Sequence, residues 1–91
     1  MPDLSYTREF SSEEIKEVVV QASRTGKIIA EVLVSVYFGK KRINLMSLET
    51  LDQRSFNMAT SIIRYRRTFG WNDHEFFSLA SLAATKHSIK V

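Results

Sequence analysis

The run from Lys27 to Phe38 decides what this chain can fold into, because it is the largest apolar block in only 91 residues. A chain of that length builds one modest core, so its longest apolar block must lie inside it. Its even positions, Ile28, Ala30, Val32, Val34, Val36 and Phe38, are all apolar, while Lys27, Glu31 and Ser35 fall among the odd ones. An all-apolar even series with five β-branched residues between Ile28 and Phe38 suits a strand. The same three polar residues are also four apart, which gives a helix with one polar stripe. An interior Gly26 would cost one long helix about 1 kcal/mol relative to Ala. The strand reading is favoured, and the helix reading stays open.

On the strand reading the fold class is α+β, a small single domain of order β-α-β-β-α-α. Gly39-Lys40-Lys41 is then a hairpin turn, Arg42 to Met46 a return strand, and Leu4 to Phe10 a third strand. On the helix reading the fold is an all-α bundle of three to four helices, and Gly39 is a C-terminal cap.

The helices outside this segment have clearer start and stop signals. Ser11 with Glu14 forms a capping box, Phe10 can staple onto Ile15, and Ile15, Val18, Val19 and Ala22 have helical spacing. With Thr25-Gly26 as the stop, this predicts a helix from Ser12 to Arg24. Ser47 is expected to cap a second helix, Leu48 to Phe69, whose apolar series is Leu48, Leu51, Met58, Ile62 and Phe69. Asn72 with Glu75 predicts the cap of a third, Asp73 to His87, with Trp71 stapled onto Phe76. Phe56, Phe69, Phe76 and Phe77 are assigned to the core. No linker or repeat divides the chain, so residues 1–91 are read as one domain.

Composition narrows the function more by exclusion than by assignment. There is no cysteine, hence no disulfide framework, thiolate metal site or cysteine nucleophile. Of the two histidines, His74 lacks the second histidine four residues on that a zinc-protease helix needs, and His87 is isolated. Thr25-Gly26-Lys27 lacks the glycine frame of a phosphate loop. The reading is therefore a non-enzymatic chain with no catalytic residue, metal or cofactor. No apolar run approaches the roughly 20 residues that span a bilayer, and no leader pattern is visible, so a cytoplasmic location with no membrane partner is expected.

The net charge of +3 is mild but segregated: Met1 to Glu31 carries four basic and six acidic residues, and Lys40 to Phe69 carries seven basic and two acidic. Lys40, Lys41 and Arg42 lie before the second predicted helix, and Arg64, Arg66 and Arg67 lie near its end. On a helical wheel Gln53, Asn57, Thr60, Arg64 and Arg67 form one polar stripe, and no acid occurs from Gln53 to Phe69. Amide, hydroxyl and guanidinium groups without carboxylates suit a phosphate backbone, since each acid would add repulsion. A regulatory module contacting nucleic acid or a nucleoprotein through this basic surface is expected. The alternative is an adaptor or inhibitor that binds a protein through Tyr37, Tyr65 and Trp71, residue types enriched at interfaces. A solvated face accounts for the same charges, since basic residues late in a helix complement its dipole. A small chain with a strand edge and the small-residue segment Ala80 to Ala84 also has reasons to form a homodimer.

The opening order, a short alternating segment at Leu4 to Phe10, then a helix and a Thr-Gly break, resembles a ribbon-helix-helix repressor over fewer than half of the residues. It departs where Glu9 falls with Ser5 and Thr7 on the face that would meet DNA, and where a further pair of helices follows. No family is assigned.

Overall fold

The computed structural model describes residues 10–39, 45–69 and 74–89, and only the backbone at 45 and 66–69. The described residues form helices and no strand: α1 (Ser12–Val19), α2 (Arg24–Phe38), α3 (Leu45–Glu49), α4 (Gln53–Phe69) and α5 (His74–Lys86). The α+β expectation is therefore wrong. The segment expected as the long strand is the central helix. Of the expected return strand, Leu45 and Met46 lie in α3, and the rest lies outside the described residues, as do residues 4–9 of the expected third strand.

Local sequence explains why α2 is helical. Ser23 accepts the Gly26 N–H on its Oγ at 3.0 Å, and Gly39 closes the helix in the left-handed conformation at φ 67°, its N–H donating to the Ser35 carbonyl. Between these caps the polar positions Arg24, Lys27, Glu31 and Ser35 recur every three or four residues and stay on the less buried side, while Ile28, Ile29, Val32, Leu33 and Val34 are buried. The β-branched residues cost at most about 0.7 kcal/mol each in helix propensity. Burying each of these side chains contributes roughly 1.5–3 kcal/mol. Burial wins, and a helix satisfies its own backbone hydrogen bonds without needing a neighbouring strand.

α2 packs most extensively on α5, then on α4 and α1, while α3 touches α4. Aromatic rings join three of these layers. Tyr37 of α2 stacks with Phe76 at 6.0 Å and meets Phe77 edge-on at 5.1 Å, and Tyr65 of α4 meets Phe76 edge-on at 5.7 Å. Such pairs add about 0.5–1.5 kcal/mol beyond the area they bury.

The capping box at Ser11 and Glu14 forms as expected, but α1 ends at Val19 and not at Arg24. The Thr25-Gly26 pair does not stop it: both residues lie in the first turn of α2. Gly26 is required by contact. A Cβ there would lie 2.6 Å from the Gln21 carbonyl oxygen and 2.7 Å from that of Val18, both backbone atoms that cannot swing aside. The C-terminal carbonyl of Val19 is then met by His87 Nε2 at 2.7 Å, which ties the end of α5 to the end of α1. α5 closes with Ser88 in the left-handed region at φ 55°, where Ile89 N–H donates to the Ala84 carbonyl at 2.8 Å. This is a Schellman closure with serine where glycine is usual, and Ile89 packs onto the core beyond it.

Two stability changes follow from these ends. Gly26→Ala is expected to lose about 2 kcal/mol or more, the cost of forcing a methyl into a filled space, measured as a lower urea midpoint. Ser88→Gly should gain about 1 kcal/mol by removing the side-chain penalty of the left-handed conformation. An unchanged midpoint for either variant would contradict the corresponding contact.

Candidate functional site

α4 is the element that carries the acid-free stripe, and its start differs from the expected one. The helix is broken at Thr50 to Asp52, where Thr50 and Leu51 donate back to the carbonyls of Ser47 and Leu48. Asp52, not Ser47, caps α4: its Oδ1 accepts the Ser55 N–H at 2.8 Å, and its carbonyl accepts from Phe56 at 2.8 Å. Hydrogen bonding from Ser55, through both side chain and backbone, holds the Asp52 carboxyl below its usual 3.8, with Arg54 adding a smaller pull.

Seventeen residues of α-helix extend about 25 Å. Met58, Ala59, Ile62 and Tyr65 turn inward and are fully buried, with Ser61 beside them. Gln53, Phe56, Asn57, Ile63 and Arg64 turn outward and are exposed, with Thr60 half-buried between them. On this outer face Gln53 Nε2 donates to Asn57 Oδ1 at 2.9 Å, and Thr60 Oγ1 donates to the Asn57 carbonyl at 3.1 Å. The face thus presents two coupled amides, a hydroxyl and a guanidinium. Arg54 lies off this stripe. It reaches Glu14 at 3.5 Å and sits over the Phe10 ring at 5.6 Å, joining α4 to the start of α1 through an exposed pair that contributes little to stability.

Of the expected anion-binding residues, Gln53, Asn57 and Arg64 come together on this face. Arg66 and Arg67 lie on α4 with side chains outside the described residues, and Lys40, Lys41 and Arg42 are outside them altogether. The expected protein-binding aromatics are corrected by burial: Tyr37 is 1% exposed and Tyr65 0%. Tyr65 Oη accepts the Phe10 N–H at 2.8 Å, so even its polar end is used inside the protein. Trp71 lies outside the described residues, as does Asn72 of the expected third cap. Glu75 of that cap accepts from Ser12 Oγ, across the α1–α5 seam.

Sequence reasoning missed the outward apolar pair. Phe56 was expected in the core, yet it is 37% exposed, and Ile63, seven residues on along the same side, is 40% exposed. The helical wheel contained this signal, since both positions fall roughly 100–160° round the helix from Met58 and Ile62. A depression of about 220 Å³ lies between α1 and α5 over Leu79 and Leu82, rimmed by Glu13, Glu75 and Lys16. Its charges are mixed, which selects neither anion nor cation. Among the described residues no three His, Asp or Glu side chains gather as a metal site, and no helix is long and apolar enough to cross a membrane.

No protein family, curated protein or solved structure matches the chain.

The Asp52 cap gives an acid signature. Its folded carboxyl titrates below the unfolded value, so its contribution is present above the ordinary 3.8 and is lost as pH falls through the lower folded value. Asp52→Asn keeps a capping oxygen and removes the charge. Between neutral pH and the acid limb below 3.8 its urea midpoint is expected to fall less than that of the parent. Parallel falls would remove the charge from the cap's role.

Proposed function

We propose that this chain is a non-enzymatic binding module that contacts nucleic acid, alone or in a nucleoprotein, through the outer face of α4. One observation carries the reading: the solvent side of a 17-residue helix offers amide, hydroxyl and guanidinium groups with no carboxylate along its length. A polyanion is the partner for which the absence of acids matters, because phosphate oxygens accept from amide N–H and guanidinium groups and repel carboxylates. Glu49 and Asp52 precede the helix and Asp73 and Glu75 follow it, so the acid-free span is the helix itself, with Arg64 as an exposed guanidinium. The same proposal puts the chain in a compartment where nucleic acid is accessible, the cytoplasm foremost.

A second reading rests on Phe56 and Ile63. Two large apolar side chains left in water on one helix side favour a protein partner, where an exposed aromatic serves as an anchor. This reading moves the adaptor hypothesis from the buried tyrosines to α4.

The two readings separate by salt and by residue. If nucleic acid is bound, affinity for a labelled DNA or RNA probe falls linearly on a log–log plot against salt. Arg64→Ala then lowers the slope by about one, with unchanged helix content. Salt-independent binding, or an Arg64 variant indistinguishable from the parent, would overturn the first reading. A protein complex weakened by about 2 kcal/mol in Phe56→Ala, with little salt dependence, would support the second.

A further inference from the structure

The polar stripe of α4 distinguishes among nucleic acids by its geometry, and here the reasoning rests on the proposed binding function. We infer that α4 enters the major groove of double-stranded DNA and that Gln53 and Asn57 hydrogen-bond to base edges there, with Arg64 toward the C-terminal end of the same stripe. The positions 53, 57, 60 and 64 repeat at three- and four-residue intervals and so lie along one side of a helix. At 1.5 Å per residue they extend about 16 Å, the height of roughly five stacked base pairs.

The chemistry of the stripe matches base edges better than phosphates alone. An amide offers a donor and an acceptor side by side, which is what adenine presents in the major groove, and Arg pairs with the two acceptors of guanine. A surface built only for phosphate would repeat Lys and Arg. This one places two amides in the N-terminal turns and puts cations later. Gln53 donates one N–H to Asn57, which couples the two amides and reduces the side-chain freedom each loses on binding. Gln53 Oε1 and the Asn57 amide nitrogen remain as an acceptor and a donor beyond that bond. Phe56 and Ile63 flank the stripe as exposed apolar groups, the type of surface that contacts a thymine methyl.

Alternatives within nucleic acid fit less well. Double-stranded RNA has a major groove too deep and narrow for side chains to read. Single strands are held by several aromatics on which successive bases stack, whereas among the described residues of α4 Phe56 is the one exposed aromatic and Tyr65 is buried.

The test is selection from random-sequence DNA duplexes by the full chain, followed by anisotropy titrations of the selected duplex against a scrambled one. A preferred sequence is expected. The Gln53→Ala, Asn57→Ala double variant should lose about tenfold or more of the discrimination between the two duplexes, and it should keep the salt slope of the parent. Both residues are exposed, and far-UV circular dichroism verifies the fold. Selection that returns no preferred sequence, while salt-sensitive and Arg64-dependent binding persists, overturns the groove inference and leaves the binding function standing. A single-stranded or RNA probe bound more tightly than any duplex overturns it as well. Unchanged discrimination in the double variant removes Gln53 and Asn57 as the reading residues. Absence of binding to every probe at low salt overturns both the inference and the function beneath it.

Discussion

Burial of α2 on several sides is the constraint on which the other helices depend. Fifteen residues carry eight buried positions, and the most exposed side of the helix is marked by Arg24 and Lys27. Covering that much of one helix takes neighbours on most of its circumference, and α1, α4 and α5 supply them. The five buried Ile, Leu and Val side chains alone contribute on the order of 10 kcal/mol, comparable with the whole net stability of a small domain. Gly26 sets how close the first neighbour can come, since its missing Cβ lets α2 begin against the last turn of α1. His87 then completes the seam by meeting the carbonyl that the short α1 leaves open.

That same central helix marks the limit of what the sequence disclosed. Caps and apolar spacing identify α1's start, the inner face of α4 and the body of α5, because each signal is local. The segment Ile28 to Phe38 is ambiguous because a helix buried nearly all round has lost the contrast that periodicity measures; its apolar letters fit period two and period four alike. Gly26 misled for a related reason. A glycine's sequence context shows that a side chain is absent, but not whether conformation or contact demands it, and here the contact with Val18 and Gln21 is tertiary. Tyr65 was more legible than the surface assignment implied: Met58, Ile62 and Tyr65 follow one helical face, so the apolar series already placed its ring inward.

The stripe on α4 was legible as a pattern of positions, and the structure adds what a wheel cannot. The Asp52 cap places α4's first turn at Gln53, so both amides belong to regular helix and can meet. The Glu14–Arg54 pair draws one cation toward α1, while Arg64 is exposed on the outer face. The spacing of Phe56 with the later phenylalanines suits a core, but register places it outside, because Met58 and Ile62 occupy the inward side of that part of the helix.

Charge segregation acquires a spatial meaning from this arrangement. A net charge of +3 on 91 residues is too small to draw a polyanion strongly from a distance. Its distribution matters more at close range. Glu13 and Glu17 are exposed on α1, whereas the outer face of α4 has no carboxylate, so the chain is polar across its width. If α4 docks a polyanion as proposed, the exposed Glu13 and Glu17 of α1, partly offset by Lys16 between them, disfavour approach from that side and so favour α4. Such orienting fields extend about 8–10 Å at physiological salt, so they act over the last approach. On the proposed function the segregation serves specificity of docking more than strength. A partner docked on the acid-free side would then meet the exposed Phe56 and Ile63 together with the hydrogen-bonding groups of one helix.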